Sequence, residues 1–216
     1  MSPETTKKLP SFRYEKKAYA QGYLRVAGVD EVGRGPLAGP VTAAAVVLNP
    51  KDLPEGLNDS KQLGKKIRGG LDTEIHERAQ VAIAHASVAE IDQLNILRAS
   101  HLAMERAVAA LDPQPDFLLI DGRMVPREIT LPHLALVKGD TKCMSIAAAS
   151  IVAKICRDRM MVDLAQQHPG YGWETNAGYP TPAHKAALQH LGVTPHHRRS
   201  FAPVHNILYQ EKSISS

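Results

Sequence analysis

Gly28-Val-Asp-Glu-Val-Gly-Arg-Gly-Pro-Leu-Ala-Gly-Pro40 is the stretch on which the reading of this chain turns. Two acids, Asp30 and Glu31, close an apolar run that begins at Leu24, and the chain then passes at once into a Gly/Pro-rich turn. The segments on either side, Val-Ala-Gly-Val before the acids and Ala43 to Leu48 after the turn, read as buried strands, which normally exclude unpaired charge. A bound hard cation would settle that conflict. Gly33 and Gly35 reach backbone conformations closed to other residues and expose N–H groups, a setting that suits phosphate. For an isolated Asp-Glu pair a hairpin turn with solvated acids is the simpler explanation, so the decision rests on the rest of the chain.

Leu24 to Glu31 and Thr42 to Leu48 predict two strands joined as a hairpin with a long loop. Asn49 to Lys61 is loop, a helix is expected around Lys65 to Ala79, and Val81 to Val88 suits a third strand. Leu94, Leu97, Leu102, Val108 and Leu111 recur at near-helical spacing, giving one long or two short helices over Ile91 to Leu111, ended by Pro113 and Pro115. Phe117 to Ile120 and Leu134 to Val137 are short strands that end at Asp121-Gly122 and near Lys138-Gly139-Asp140. Cys143 to Ala165 is the core helix, its Ser145 to Lys154 stretch rich in small residues that permit close packing on a sheet. Strands first, then strands alternating with helices, indicate an α/β layered fold with a mixed sheet. Residues 1 to about 20 are expected to be frayed or peripheral, and His168 to Ser216, with a helical patch at Thr181 to Leu191, to form an appendage packed on the main domain.

Asp30, Glu31, Asp121 and Asp140 share one local grammar, each at or just past the end of an apolar strand and beside a glycine or a turn. Ligand sites in α/β sheets gather where strands end, so separate strands can deliver these acids to one crevice. Each acid alone is as well explained by turn capping or solvation; as a set they favour a metal site. All-oxygen ligands suit magnesium or manganese rather than zinc. Two such ions roughly 4 Å apart serve phosphodiester hydrolysis. One obstacle stands: neighbours on a strand point to opposite faces, so either the pleat breaks before Gly33 or one of Asp30 and Glu31 contributes its backbone oxygen. Asp158 is a rival ligand, but Lys154 four residues earlier explains it as an ion pair. Lys61, Lys138 and Lys142 are candidates to neutralise phosphates. Tyr171, Trp173 and Tyr179 either pack or offer a face for stacking on a sugar or base.

Composition is that of a soluble globular protein, 44% hydrophobic and 22% charged over 216 residues. A net charge of +4 permits polyanion binding without requiring it. No apolar run reaches bilayer length, and the lysine- and arginine-bearing N-terminus lacks the apolar core of a secretory signal, so the expected compartment is the cytoplasm. Cys143 and Cys156, on one helix, lie about 20 Å apart at the helical rise, too far for a disulfide. The ten histidines form no zinc-binding motif.

Gly28 to Pro40, Asn58-Asp-Ser-Lys61, Ile120-Asp-Gly122, Lys138-Gly-Asp140, Ser145 to Lys154 and Gly178-Tyr-Pro180, in this order, resemble bacterial ribonuclease HII. The resemblance runs from about residue 23 to 205. It implies an RNase H-like mixed sheet flanked by helices, with a catalytic domain over 23–167, an N-terminal extension over 1–22 and a helical C-terminal region over 168–216 that contributes to substrate binding. It also implies cleavage of RNA in RNA/DNA hybrids and nicking of duplex DNA on the 5′ side of a single embedded ribonucleotide, leaving a 3′-hydroxyl and a 5′-phosphate. Such an enzyme removes misplaced ribonucleotides and RNA primers, with two manganese or magnesium ions per site, as a monomer. By motif, Asp30, Glu31, Asp121 and Asp140 match the metal-binding, catalytic acids. Gly33, Arg34 and Gly35 match the loop that senses the ribose 2′-hydroxyl, Ser60 and Lys61 fall with the substrate-binding residues, and Tyr179 matches the tyrosine that stacks on the following deoxyribose. The 2′-hydroxyl is the group that marks a ribonucleotide within a DNA strand, and close backbone approach is one way to read it.

Two rivals are weighed against this. A proofreading-type exonuclease of related fold would place Asp-x-Glu on its first strand, where this chain has adjacent acids. A non-catalytic nucleic-acid binder would use Arg34, Lys61, Arg198 and Arg199 against phosphates, but has no use for four acids facing a polyanion.

Overall fold

The apolar runs on either side of the Gly/Pro turn form strands β1 (Val26–Val32) and β2 (Val41–Leu48) in a computed structural model that describes residues 9–209. Helix α1 (Arg13–Ala20) precedes them. After them come α2 (Lys65–Arg78), β3 (Ala79–Ala86), α3 (Val88–Leu94), α4 (Ile96–Ala109), β4 (Phe117–Asp121) and β5 (His133–Leu136). The long α5 (Met144–Gln167) follows, then α6 (Trp173–Asn176), α7 (Pro182–Leu191) and α8 (Ala202–Tyr209). The sheet runs β3-β2-β1-β4-β5, antiparallel across β3, β2 and β1 and parallel across β1, β4 and β5, which is the mixed sheet expected.

The near-continuous apolar sequence of β1 and β2 follows from burial on both faces of the sheet. Ala27, Val29, Ala43 and Ala45 pack on one side with Ala99, Ala103 and Met104 of α4. Ala44, Val46 and Leu48 pack on the other with Ala147, Ala148, Ile151 and Val152 of α5, and with Leu71 and Ile75 of α2. The contact between α5 and β1 is backbone on backbone: a Cβ added at Gly28 would lie 2.1 Å from the carbonyl carbon of Ser145. A third cluster joins the loop residues Leu37 and Ala38 to Met161, Trp173, Leu188 and Val204, so α6 to α8 are packed around the turn that follows β1.

Of the two forms open for Ile91 to Leu111, the structure has two helices. Ser87 and Glu90 form a reciprocal capping box at the start of α3, and Asn95, at φ 69°, breaks the run while its side chain accepts from the N–H groups of Leu97 and Arg98. The expectation of a frayed start falls partly on residues 1–8, outside the described residues, but from Arg13 onward it is replaced by an anchored helix. Glu15 is 1% exposed, and its Oε1 accepts from the Ser145 N–H at 2.8 Å and from the Cys143 thiol. It thereby caps α5, which has no side-chain cap of its own. Both cysteines are free. No helix among the described residues is long and apolar enough to cross a membrane.

Candidate active site

The parallel ladder between β1 and β4 stops at Val29–Ile120, and the next residues along the two strands are Asp30, Glu31 and Asp121. Gly28, two residues before Asp30, lies against α5, whereas Glu31 shares a pocket with Leu97, Ser100, His101 and Met104 of α4. The two neighbouring acids therefore do leave opposite faces of a regular strand, which keeps its register with β2 as far as Val32. The pleat is therefore unbroken before Gly33. Here, just past the last β1–β4 pair, one carboxylate oxygen each from Asp30, Glu31 and Asp121 come within 4.8 Å of one another. Asp140, in the 3-10 turn Gly139–Thr141 after β5, stands outside that group of three but lines the same cleft.

This cleft, about 200 Å³, is bordered by Asp30, Glu31, Gly33, Arg34, Gly35, Ser60, Lys61, Asp121, Asp140 and Tyr179, and so brings together all the residues that the family resemblance matched to metal or substrate binding. Ser150 of α5, which the sequence reading passed over, joins them, its hydroxyl 2.9 Å from that of Ser60. Its signal was present as a hydroxyl in a run of alanines and branched apolar residues, but such residues are ordinary in close-packed helices. Asp59 holds the turn carrying Ser60 and Lys61 by accepting from the Lys61 N–H. Tyr179, 37% exposed, faces the glycine loop from the far lip, where a Cβ on Gly35 would sit 3.4 Å from its ring.

Electrostatics favour a cation here. Burial raises the Asp30 carboxyl well above its ordinary range, and the charges of Glu31, Asp121 and Asp140 push it the same way. Burial also raises Glu31, against the pull of the Arg34 guanidinium 3.2 Å away. Asp121 and Asp140 are raised by burial too, with Lys61 opposing in both cases. The Asp121 Oδ1 accepts from the Gly139 N–H at 2.6 Å, which aims the carboxylate. Four acids crowded in this way repel one another, and an all-oxygen set fits magnesium or manganese.

Other candidates separate from the site. Asp158 pairs with Lys154 at 2.7 Å, as expected. Lys142 donates its Nζ to the Val137 carbonyl. Trp173 and Tyr171 are buried and stacked on each other, so of the three aromatic residues Tyr179 alone is open for stacking. Arg198, which the rival binder would set against phosphates, is fully buried and donates to backbone carbonyls, and so offers nothing to an external phosphate.

The sheet order and the acids at the end of its central strand define a ribonuclease H-like protein. Solved structures agree. Ribonuclease H2 from Pyrococcus horikoshii OT3 superposes with a TM-score of 0.74 at 28% identity, over 85% of this chain and 97% of that one. Bst-RNase HIII, solved in complex with Mn2+, has the same fold at a TM-score of 0.70 and 20% identity, over 88% of this chain and 70% of that one. The chain belongs to the ribonuclease HII family, whose model matches residues 27–204. Relatives named ribonuclease HII include that of Ruegeria sp. (strain TM1040), 70% identical over 94% of this chain and 88% of the relative. That of Cereibacter sphaeroides (strain KD131 / KCTC 12085) is 67% identical over 95% and 97% respectively. Membership supports endoribonuclease activity on RNA/DNA.

Proposed function

We propose that this chain hydrolyses RNA in RNA/DNA hybrids and nicks duplex DNA 5′ of a single embedded ribonucleotide, using two divalent ions, Mn2+ or Mg2+. The observation that carries this reading is the convergence of three carboxylates within 4.8 Å in a cleft shared with the glycine loop and Tyr179. Asp30, Glu31, Asp121 and Asp140 would hold the ions; when bound, such ions ease deprotonation of water and neutralise charge developing on the phosphate.

The protein's own residues do the rest. Water adds to the phosphorus, the bond from phosphorus to the upstream O3′ breaks, and the products are a 3′-hydroxyl and a 5′-phosphate. Lys61 offsets negative charge on the phosphate, the Gly33–Gly35 backbone reads the ribose, and the exposed ring of Tyr179 stacks on the following sugar. In this reading the chain works as a cytoplasmic monomer on ribonucleotide-containing duplexes, in ribonucleotide and RNA primer removal, with α6 to α8 supporting the Tyr179 lip.

Asp121→Asn tests the assignment. Its Oδ1 still accepts from Gly139 while one charge is lost, so the metal-free variant should be at least as stable as wild type. Titration calorimetry should show Mn2+ affinity down by about tenfold or more, a loss of at least ~1.4 kcal/mol, and hydrolysis nearly abolished. Normal turnover by the variant would remove Asp121 from the mechanism.

A further inference from the structure

Arg157 of α5 and Arg198, between α7 and α8, are both fully buried, yet among the described residues neither forms an ion pair. Their donors go to backbone carbonyls of the loop that follows β1 and of the turn that leads to Tyr179. Arg198 donates Nε to Gly39 at 3.0 Å, Nη1 to Arg34 at 3.0 Å, and Nη2 to Gly33 at 2.6 Å and to Pro40 at 3.2 Å. Arg157 donates Nε to Pro40, Nη2 to Ala38 and Nη1 to Ala177, the last of these two residues before Tyr179. Gly33 fits because it has φ +91° and no Cβ, which would lie 2.2 Å from Arg157 Nε.

In a trans peptide the carbonyl of one residue and the N–H of the next point in opposite directions. With the carbonyls of Gly33 and Arg34 drawn inward to Arg198, the N–H groups of Arg34 and Gly35 are turned away from it. Neither has a protein acceptor among the described residues, and both residues line the cleft that holds the acids. A planar guanidinium with five fixed donors can hold several carbonyls at once; an ammonium cannot.

We propose that Arg198, braced by Arg157, is a positioning residue that fixes these two peptides so that their N–H groups face the ribose hydroxyl and phosphate before substrate arrives. This deepens the functional reading above and rests on it. Burial of two cations without a carboxylate partner is costly unless their hydrogen bonds are met, and here seven hydrogen bonds to six backbone carbonyls meet them, the Pro40 carbonyl accepting from both arginines.

The test compares wild type with Arg198→Lys on a duplex carrying one ribonucleotide. The expected result is a kcat/KM lower by about tenfold or more, with a raised KM, while Mn2+ affinity measured by calorimetry stays within about twofold. A purely structural role would instead reduce the folded fraction and leave the KM of the remaining enzyme unchanged, and that result, or unchanged kinetics, overturns the proposal. If Arg198→Lys does not fold, the wild type decides. With chelator present, the amide signals of Arg34 and Gly35 should shift on addition of the ribonucleotide duplex and less with all-DNA; equal or absent shifts overturn the proposal. A wild type that nicks no ribonucleotide duplex refutes the functional reading itself, which separates the two failures.

Discussion

Replacing Gly28 with alanine adds one methyl group at the tightest point of the fold. The new Cβ would lie 2.1 Å from the Ser145 carbonyl carbon and 2.4 Å from the Ile146 nitrogen, where real contacts do not fall below 3.0 Å. Relief therefore requires the start of α5 and β1 to part by about 1 Å, and both atoms are backbone, so no rotamer change can absorb the strain. Because α5 is buried along much of its length, the cost should reach or exceed the top of the usual overpacking range, about 3 kcal/mol. For a chain of this size that corresponds to a fall in Tm of roughly 6–12 °C. Asp30 lies two residues along the same strand and Ser150 on the same helix, so activity of the folded fraction should fall by up to about 100-fold for a 1 Å displacement. Gly69→Ala is the control: it lies within α2 with open space around its Cβ, and should stabilise by about 0.5–1 kcal/mol. Urea denaturation and cleavage kinetics read both. A Gly28→Ala protein within about 0.5 kcal/mol of wild type and equally active would refute the reasoning.

Two further outcomes follow from buried polar groups. Burial lowers the His197 pKa to about 3, helped by the neighbouring histidines, so between pH 6.5 and 3 the unfolded chain binds the extra proton and stability falls as the pH falls. From pH 7 to 5, wild type should lose about 2 kcal/mol more than His197→Asn; equal losses would mean that His197 is protonated in the fold. The acid cluster, whose raised pKa values act in the opposite direction, is common to both proteins and cancels. Glu15→Ala should cost about 1–3 kcal/mol in urea denaturation by uncapping the Ser145 N–H, and a change below about 0.5 kcal/mol would show that α1 does not anchor α5.

The acids were legible in the sequence because the strand-end pattern is local: an apolar run, a carboxylate, then a glycine or a turn. Their arrival in one cleft was legible too, since strand ends collect at one edge of an α/β sheet. The way in which Asp30 and Glu31 share that cleft was not, because it depends on where the β1–β4 ladder stops. In sequence Arg198 is one of a basic run, His196-His197-Arg198-Arg199. Its partners are carbonyls some 160 residues away, and backbone acceptors leave no trace in side-chain identity. Glu15 is hidden in the same way among lysines, its acceptor role fixed by an N–H 130 residues downstream.

The most direct test of the central claim is cleavage of a labelled DNA duplex containing one ribonucleotide, beside an all-DNA duplex, with Mn2+, Mg2+ or chelator. A single nick 5′ of the ribonucleotide, lost with chelator and absent from all-DNA, is the result predicted. No cleavage in either metal by demonstrably folded protein, or progressive shortening from 3′ ends, would contradict it.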